Sequence, residues 1–217
     1  MLFIVNNTTF PSLLDLIAPH SCRGCGHLGS PLCECCKKYI ISQSQNLQPQ
    51  NKPKNFPPIY ILGRRQGLLD ELIQDYKYHS VRALAHTFAE LLATILPKNL
   101  PKDAVIAPLP TIHQHIRERG LDHTALIAKH LSRDIHRPYQ KILIRANSTV
   151  QVGTDRKTRK TQASKAYTIS PKARINKDTT YILLDDVWTT GASMEAAVKK
   201  LQQAGVCKII VLIIALS

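Results

Sequence analysis

The stretch Tyr181 to Ser193 reads YILLDDVWTTGAS. Four apolar residues run into two carboxylates, Asp185 and Asp186. Val187 and Trp188 follow, then Thr189, Thr190, Gly191, Ala192 and Ser193. Beyond Ser193, apolar residues recur at helical spacing (Met194, Ala197, Val198, Leu201), and Gly205 stops that helix. Residues 207–216, CKIIVLIIAL, read as a buried strand. The order strand, loop, helix, strand is a βαβ unit, with its loop at the carboxyl end of the first strand. A loop that opens a helix offers unpaired amide N–H groups at the positive end of the helix dipole. Gly191 lets the backbone come close to a ligand, and three hydroxyls add donors, so residues 189–193 are a candidate phosphate cradle. Two carboxylates just before it suit ribose hydroxyls or help hold a divalent cation. The ligand implied is a ribose 5-phosphate with a charged group at C1. The competing reading is an N-capped helix preceded by two acidic residues that merely end a strand.

A second chemistry sits near the start of the chain. Five of the six cysteines fall within 15 residues, as CRGCG and LCECC. Cys22 and Cys25 make one C-x-x-C, and Cys33 and Cys36 make another with Cys35 inside it. Each such turn can present two thiolates to one tetrahedral ion, and Gly24 and Gly26 allow the turn, so zinc is expected. A redox C-x-x-C and reduced structural cysteines are the alternatives. Spacing alone does not rank Cys33 against Cys35, and His27 is a further candidate ligand that reads rather as an exposed loop histidine. About 40 residues bury little core, and a bound metal would supply the missing folding energy.

The remaining candidates are cations. Lys77 lies between two tyrosines at the end of a helical pattern over 67–78. Arg117 and Arg119 lie in HQHIRERG, after the strand pattern DAVIAPLP at 103–110. These can meet a pyrophosphate. Residues 145–165 carry Arg156, Lys157, Arg159 and Lys160 with no apolar periodicity, which reads as a mobile basic loop.

The elements that would position these residues follow from periodicity. A short amphipathic helix is expected over 10–19. Residues 42–58, rich in Gln, Asn and Pro, read as a polar linker spanning about 23 Å as a flexible chain. Residues 59–63 and 141–144 read as strands. A helix capped by Ser80 is expected over 81–96, and one capped by Asp122 over 123–135. Strands alternating with helices predict an α/β fold, a parallel sheet with helices on both faces. The domain organisation is then 1–41 as helix and cysteine module, 42–58 as linker, and 59–217 as the α/β domain.

Composition narrows the function classes. Lys and Arg number 29 against 15 Asp and Glu, and 16 of the basic residues lie in 101–180 with only 6 acidic ones. That balance favours polyanionic partners, either a pyrophosphate or a nucleic acid. The longest apolar run, 209–216, is far below the roughly 20 residues of a membrane helix. The first residues lack a basic region ahead of an apolar core, so no signal peptide is expected and the cytoplasm is the expected compartment.

The string from Asp185 to Ser193 resembles the 5-phosphoribosyl-1-pyrophosphate (PRPP) motif of type I phosphoribosyltransferases. Taken with LLDLIAPHSCRGCG, LCECC, YKY, PLP and RERG in this order, the whole chain resembles the competence protein ComF family, also seen in GntX-like proteins. The family tends to have Phe-Asn-Gln after RERG, where this chain has Leu121, Asp122 and His123. Its downstream Gln, Arg and Asn map onto Gln151, Arg159 and Gln162. The resemblance implies a zinc-ribbon module joined to a type I phosphoribosyltransferase-like domain. It implies PRPP binding with Mg²⁺ through Asp185 to Ser193, with Arg117, Arg119 and Lys77 as pyrophosphate candidates, and structural zinc on Cys22, Cys25, Cys33 and Cys36. It also implies a role in uptake and handling of transforming single-stranded DNA, with other competence proteins as partners. Turnover stays open, because no general base for an acceptor is evident. The alternative is a phosphoribosyltransferase for an unidentified acceptor, such as a nucleobase in salvage.

Overall fold

In chain order the elements are α1 (Glu34–Ser42), β1 (Ile59–Arg64), α2 (Gly67–Tyr78), α3 (Leu84–Ile95), β2 (Val105–Pro108), α4 (His113–Arg119), α5 (His123–Asp134), β3 (Leu143–Arg145), β4 (Tyr167–Ile169), β5 (Tyr181–Trp188), α6 (Ala192–Gln203) and β6 (Ile209–Leu216). The computed structural model describes residues 20–44, 47–79, 81–146 and 166–217. The helix expected over 10–19, the Ser80 cap, the run Arg156 to Lys160, and Gln151 and Gln162 lie outside them.

β1, β6, β5 and β2 form a parallel four-stranded sheet in that order. β5 and β6 are apolar on both sides because both faces of the sheet are covered. On one face Leu62, Ile106, Ile182, Leu184, Leu212 and Ile214 pack under α2, α3 and α5. On the other, Ile61, Leu183, Val211 and Ile213 pack under α6 and the β3–β4 hairpin. This is the α/β arrangement expected, with helices on both faces.

Residues 141–144 do contribute a strand, but not to the parallel sheet. β3 pairs antiparallel with β4 as a separate two-stranded unit. The chain bridges the edge of β2 just before this run, where Tyr139 meets Ile106, and then turns away to pair with β4 on the α6 side. HQHIRERG forms α4, closed by Gly120 in the left-handed region (φ 68°), where a side chain is disfavoured. Asp122 caps α5 as expected, its carboxylate accepting from the Ala125 N–H at 3.2 Å.

The sheet has a switch point between β5 and β2. The chain leaves β5 into α6 on one face and leaves β2 toward α5 on the other. Loops that depart to opposite faces open a crevice at the carboxyl ends of neighbouring strands. Asp185 and Asp186 lie at that end of β5. Leu109, just after β2, remains tied to it through its N–H to the Leu184 carbonyl at 2.8 Å.

The cysteine module shares the first of these cores. Cys22, Leu32 and Ile40 belong to one cluster with Leu62, Leu72, Tyr76 and Leu84. Arg23 pairs with Asp75 of α2 at 3.0 Å, and Lys37 pairs with Glu90 of α3 at 2.8 Å.

Candidate functional site

The cradle residues follow one another around a tight turn. β5 runs to Trp188, and α6 begins at Ala192 with Gly191 before it at φ 78°. A Cβ on Gly191 would lie 2.3 Å from Cζ2 of Trp188. Both the backbone angle and the indole beneath it therefore demand glycine. Thr189, Thr190, Ala192 and Ser193 are exposed, and Trp188 is buried as the floor of the turn. Among the described residues, the N–H groups of Thr189, Thr190 and Gly191 have no protein acceptor. A small hollow of about 30 Å³ runs from Asp185 and Val187 through Thr189 to Met194. The loop thus has free donors, an open face and the amino end of a 12-residue helix.

The two carboxylates differ. Asp186 takes the Lys77 ammonium as an ion-pair partner. Asp185 is partly buried, with its Oδ1 accepting from the Asp186 N–H at 2.9 Å. Burial first, and then the neighbouring Asp186 charge, push the Asp185 carboxyl up to about 7. The Asp186 N–H, Lys77 and Arg145 pull the other way. A cation at this edge would relieve that repulsion.

Lys77 therefore reaches the carboxylates, although a helix end alone gave no sign of it. Its neighbour Tyr78 carries Arg119, whose guanidinium lies over the ring at 5.0 Å and donates to the phenol oxygen at 3.3 Å. The end of α2 thus gathers Asp186 and Arg119 at adjacent positions. Arg117 is exposed on α4 and has no partner among the described residues.

Sequence reasoning missed two residues here. Arg145, expected as the first residue of a basic loop, belongs to β3. Its guanidinium donates to the Pro110 carbonyl at 3.1 Å and to the Tyr167 phenol at 3.4 Å, and it lies 5.2 Å from the centre of that ring. Arg145 is among the charges that lower the Asp185 carboxyl, and burial first, then the Asp185 charge, raise the Tyr167 phenol against the opposing pull of Arg145 and Ser193. His123 is the second. It is buried against Tyr76 at 4.6 Å, and its Nδ1 has no partner. Burial holds it below the ordinary histidine pKa, and the charges of Arg119 and Lys77 add to this. A histidine enclosed in this way does not meet an acceptor.

The Sγ atoms of Cys22, Cys25, Cys33 and Cys36 all lie within 4.8 Å of one another. Tetrahedral zinc with thiolates at about 2.3 Å requires sulfurs about 3.8 Å apart, so this set fits such an ion. Cys33 precedes α1 and Cys36 lies in its first turn, while Cys35 is exposed on another side. Three N–H groups, from Cys33, Cys25 and Gly24, outweigh burial and lower the Cys22 thiol to about 6. Burial and the crowding of the other sulfurs raise Cys36.

A family model described as uracil phosphoribosyltransferase matches residues 135–217. Competence protein ComFC of Bacillus subtilis is 27% identical over 199 residues, covering 89% of this chain and 76% of that one. Competence protein F of Haemophilus influenzae is 27% identical over 189 residues, covering 84% and 80%. Among solved structures, a glutamine PRPP amidotransferase from B. subtilis, complexed with ADP and GMP, aligns with a TM-score of 0.45 at 16% identity. That alignment covers 64% of this chain and 30% of the other. Among the described residues, no helix is long and apolar enough to cross a membrane. In its similarity along most of its length, its four-cysteine cluster and the phosphoribosyltransferase match in its last 83 residues, the chain is similar to the ComF-type competence proteins.

Proposed function

We propose that this protein binds PRPP with Mg²⁺ and serves the uptake and handling of transforming single-stranded DNA. The observation that carries the PRPP reading is the pairing of two unequal carboxylates with a donor-rich loop at one switch point. Asp185 and Asp186 stand on the ribose side, and residues 189–193 receive the 5′-phosphate, with the N–H groups of Thr189, Thr190 and Gly191 having no other described acceptor. Lys77 and Arg119 face the pyrophosphate side, with Arg117 farther out. Mg²⁺ would neutralise pyrophosphate charge beside Asp185, whose carboxyl is the one most in need of a nearby cation. Zinc on Cys22, Cys25, Cys33 and Cys36 would stabilise the module. The role in DNA handling is supported by the two competence relatives and by the excess of positive charge over 101–180. The cytoplasm is the compartment proposed.

The matched family model supports a second reading, transfer of phosphoribose to a nucleobase. Transfer would break the bond between C1 and pyrophosphate, and the cations would stabilise the leaving charge. Calorimetry with PRPP and Mg²⁺ tests the site. A pyrophosphate release assay with single-stranded DNA, with uracil, and with neither then separates ligand binding from turnover. No heat of binding at millimolar PRPP would overturn the proposal.

A further inference from the structure

The segment between the cysteine module and the α/β domain touches the phosphate loop. Asn51 Nδ2 donates to the Thr190 carbonyl at 2.9 Å, and its Oδ1 accepts from the Trp188 indole N–H at 3.3 Å. Phe56, five residues on, meets the same indole edge-to-face with ring centres 5.6 Å apart. The segment is also fixed at both ends of this contact. The Gln48 amide donates to the Ile59 carbonyl at 3.3 Å, and the Pro58 carbonyl accepts from the Val211 N–H at 2.8 Å. A polar stretch that would serve only as a spacer has no need of these bonds.

The orientation of one peptide plane gives the contact its meaning. In a trans peptide the carbonyl and the following N–H point in opposite directions. Asn51 holds the Thr190 carbonyl on the linker side. The Gly191 N–H of the same plane must then point away from the linker, where no described residue accepts from it. Gly191, free of a Cβ, is also the residue best able to rotate away from that arrangement. Trp188 packs beneath Gly191, and Asn51 holds the indole as well.

We propose that Asn51 is a positioning residue for the phosphate loop: it fixes the Thr190–Gly191 peptide so that the Gly191 N–H faces the 5′-phosphate. The role rests on the PRPP reading for its ligand but not for its geometry, so the two can fail separately. Trp188 is the single tryptophan of the chain, and its emission reports on this loop without any ligand.

Two variants separate the two bonds. N51A removes both. N51D keeps the acceptor for the indole and replaces the donor to Thr190 by a carboxylate. Acrylamide quenching of Trp188 in the ligand-free full chain should rise in N51A and stay near the parent in N51D. PRPP affinity with Mg²⁺ should fall in both, by about fivefold in N51A, the equilibrium worth of one net hydrogen bond. Thermal melts by circular dichroism should coincide with the parent, because Asn51 lies at the surface. Unchanged quenching in N51A would overturn the contact itself. Changed quenching with parental PRPP affinity would overturn the positioning role. If the parent fails to bind PRPP, the PRPP reading falls, and the amide chemical shift of Gly191 in the ligand-free chain decides the orientation. A Gly191 amide resonance that moves in both N51A and N51D supports it, and a parental resonance in both variants overturns it.

Discussion

The Lys77 ammonium pairs with the Asp186 carboxylate, joining the last turn of α2 to the carboxyl end of β5. Only 13% of the lysine side chain and 24% of the aspartate side chain are exposed, so the pair is screened less than a surface one. Asp186 therefore carries a compensated charge before any ligand arrives, and Asp185 does not.

Replacing Lys77 by Met should weaken PRPP binding about tenfold, the scale of one charge-assisted hydrogen bond. It should also move the Asp185 titration to higher pH, because Lys77 is one of the charges that lower it. Calorimetry across a pH series reads both. Tighter binding in the variant would identify the ion pair as a lock that the ligand must break.

Asp185 predicts a pH dependence of stability. Its carboxyl is raised to about 7 in the folded chain, against about 3.9 when unfolded. The folded state then holds more protons between those values, and stability falls as pH rises through that window. The slope is halved at each of those two pH values and fades about one unit beyond them. Denaturant midpoints from pH 4.5 to 7.5 should decline in the parent and flatten in D185N. PRPP binding should run the other way, strengthening as Asp185 loses its proton.

The cysteine cluster makes its own prediction. Cys22→Ser or Cys25→Ser should lose about one zinc per chain, and Cys35→Ser should keep it, by elemental analysis. Because Cys22, Leu32 and Ile40 share a core with α2 and α3, stripping the metal should lower the melting temperature of the whole chain. A module melting alone, with the α/β domain unmoved, would contradict that shared core.

The turn from β5 into α6 was legible because it is contiguous: strand, acidic pair, glycine and helix follow one another, and local rules fix each step. The parallel sheet was legible for the same reason, through unbroken apolar runs such as 209–216. Other features depend on distant partners. Lys77 meets Asp186 across 109 positions, and helical periodicity says only that a lysine ends α2. The bulk of Trp188 makes sense only with Gly191 above it and Asn51 beside it. Cys33 and Cys35 are equivalent by spacing and become distinct only when α1 starts at Glu34 and turns Cys35 outward. Arg145 looked like loop because β3 has three residues, too few for a periodic signal.

Binding to single-stranded DNA should weaken steeply with salt, since phosphate contacts release counterions. Replacing Arg156, Lys157, Arg159 and Lys160 by Ser should reduce the slope of log K against log salt by about 3, at about 0.7 per contact on single strands. Fluorescence anisotropy with a labelled oligonucleotide between 50 and 300 mM salt measures it. An unchanged slope would move the contact to other cations, such as those near the cysteine module.

The sharpest test separates the two carboxylates. If they only end a strand, D185N and D186N should behave alike and leave PRPP affinity untouched. The geometry predicts otherwise on both counts. D186N leaves Lys77 partly buried without its partner, so ligand-free stability should fall by about 1 kcal/mol, between the values for surface and buried ion pairs. D185N removes a carboxyl whose charge is disfavoured by burial and by Asp186, so stability at pH 8 should hold or rise. Both should lose PRPP affinity, by about 1.5–3 kcal/mol each if a charge-assisted bond to ribose is lost. Stability and affinity would then move in opposite directions in D185N and in the same direction in D186N. General damage to the fold does not produce that pattern, because it lowers both together. Parental PRPP affinity in both variants would remove the carboxylates from the site and return them to the role of a strand end.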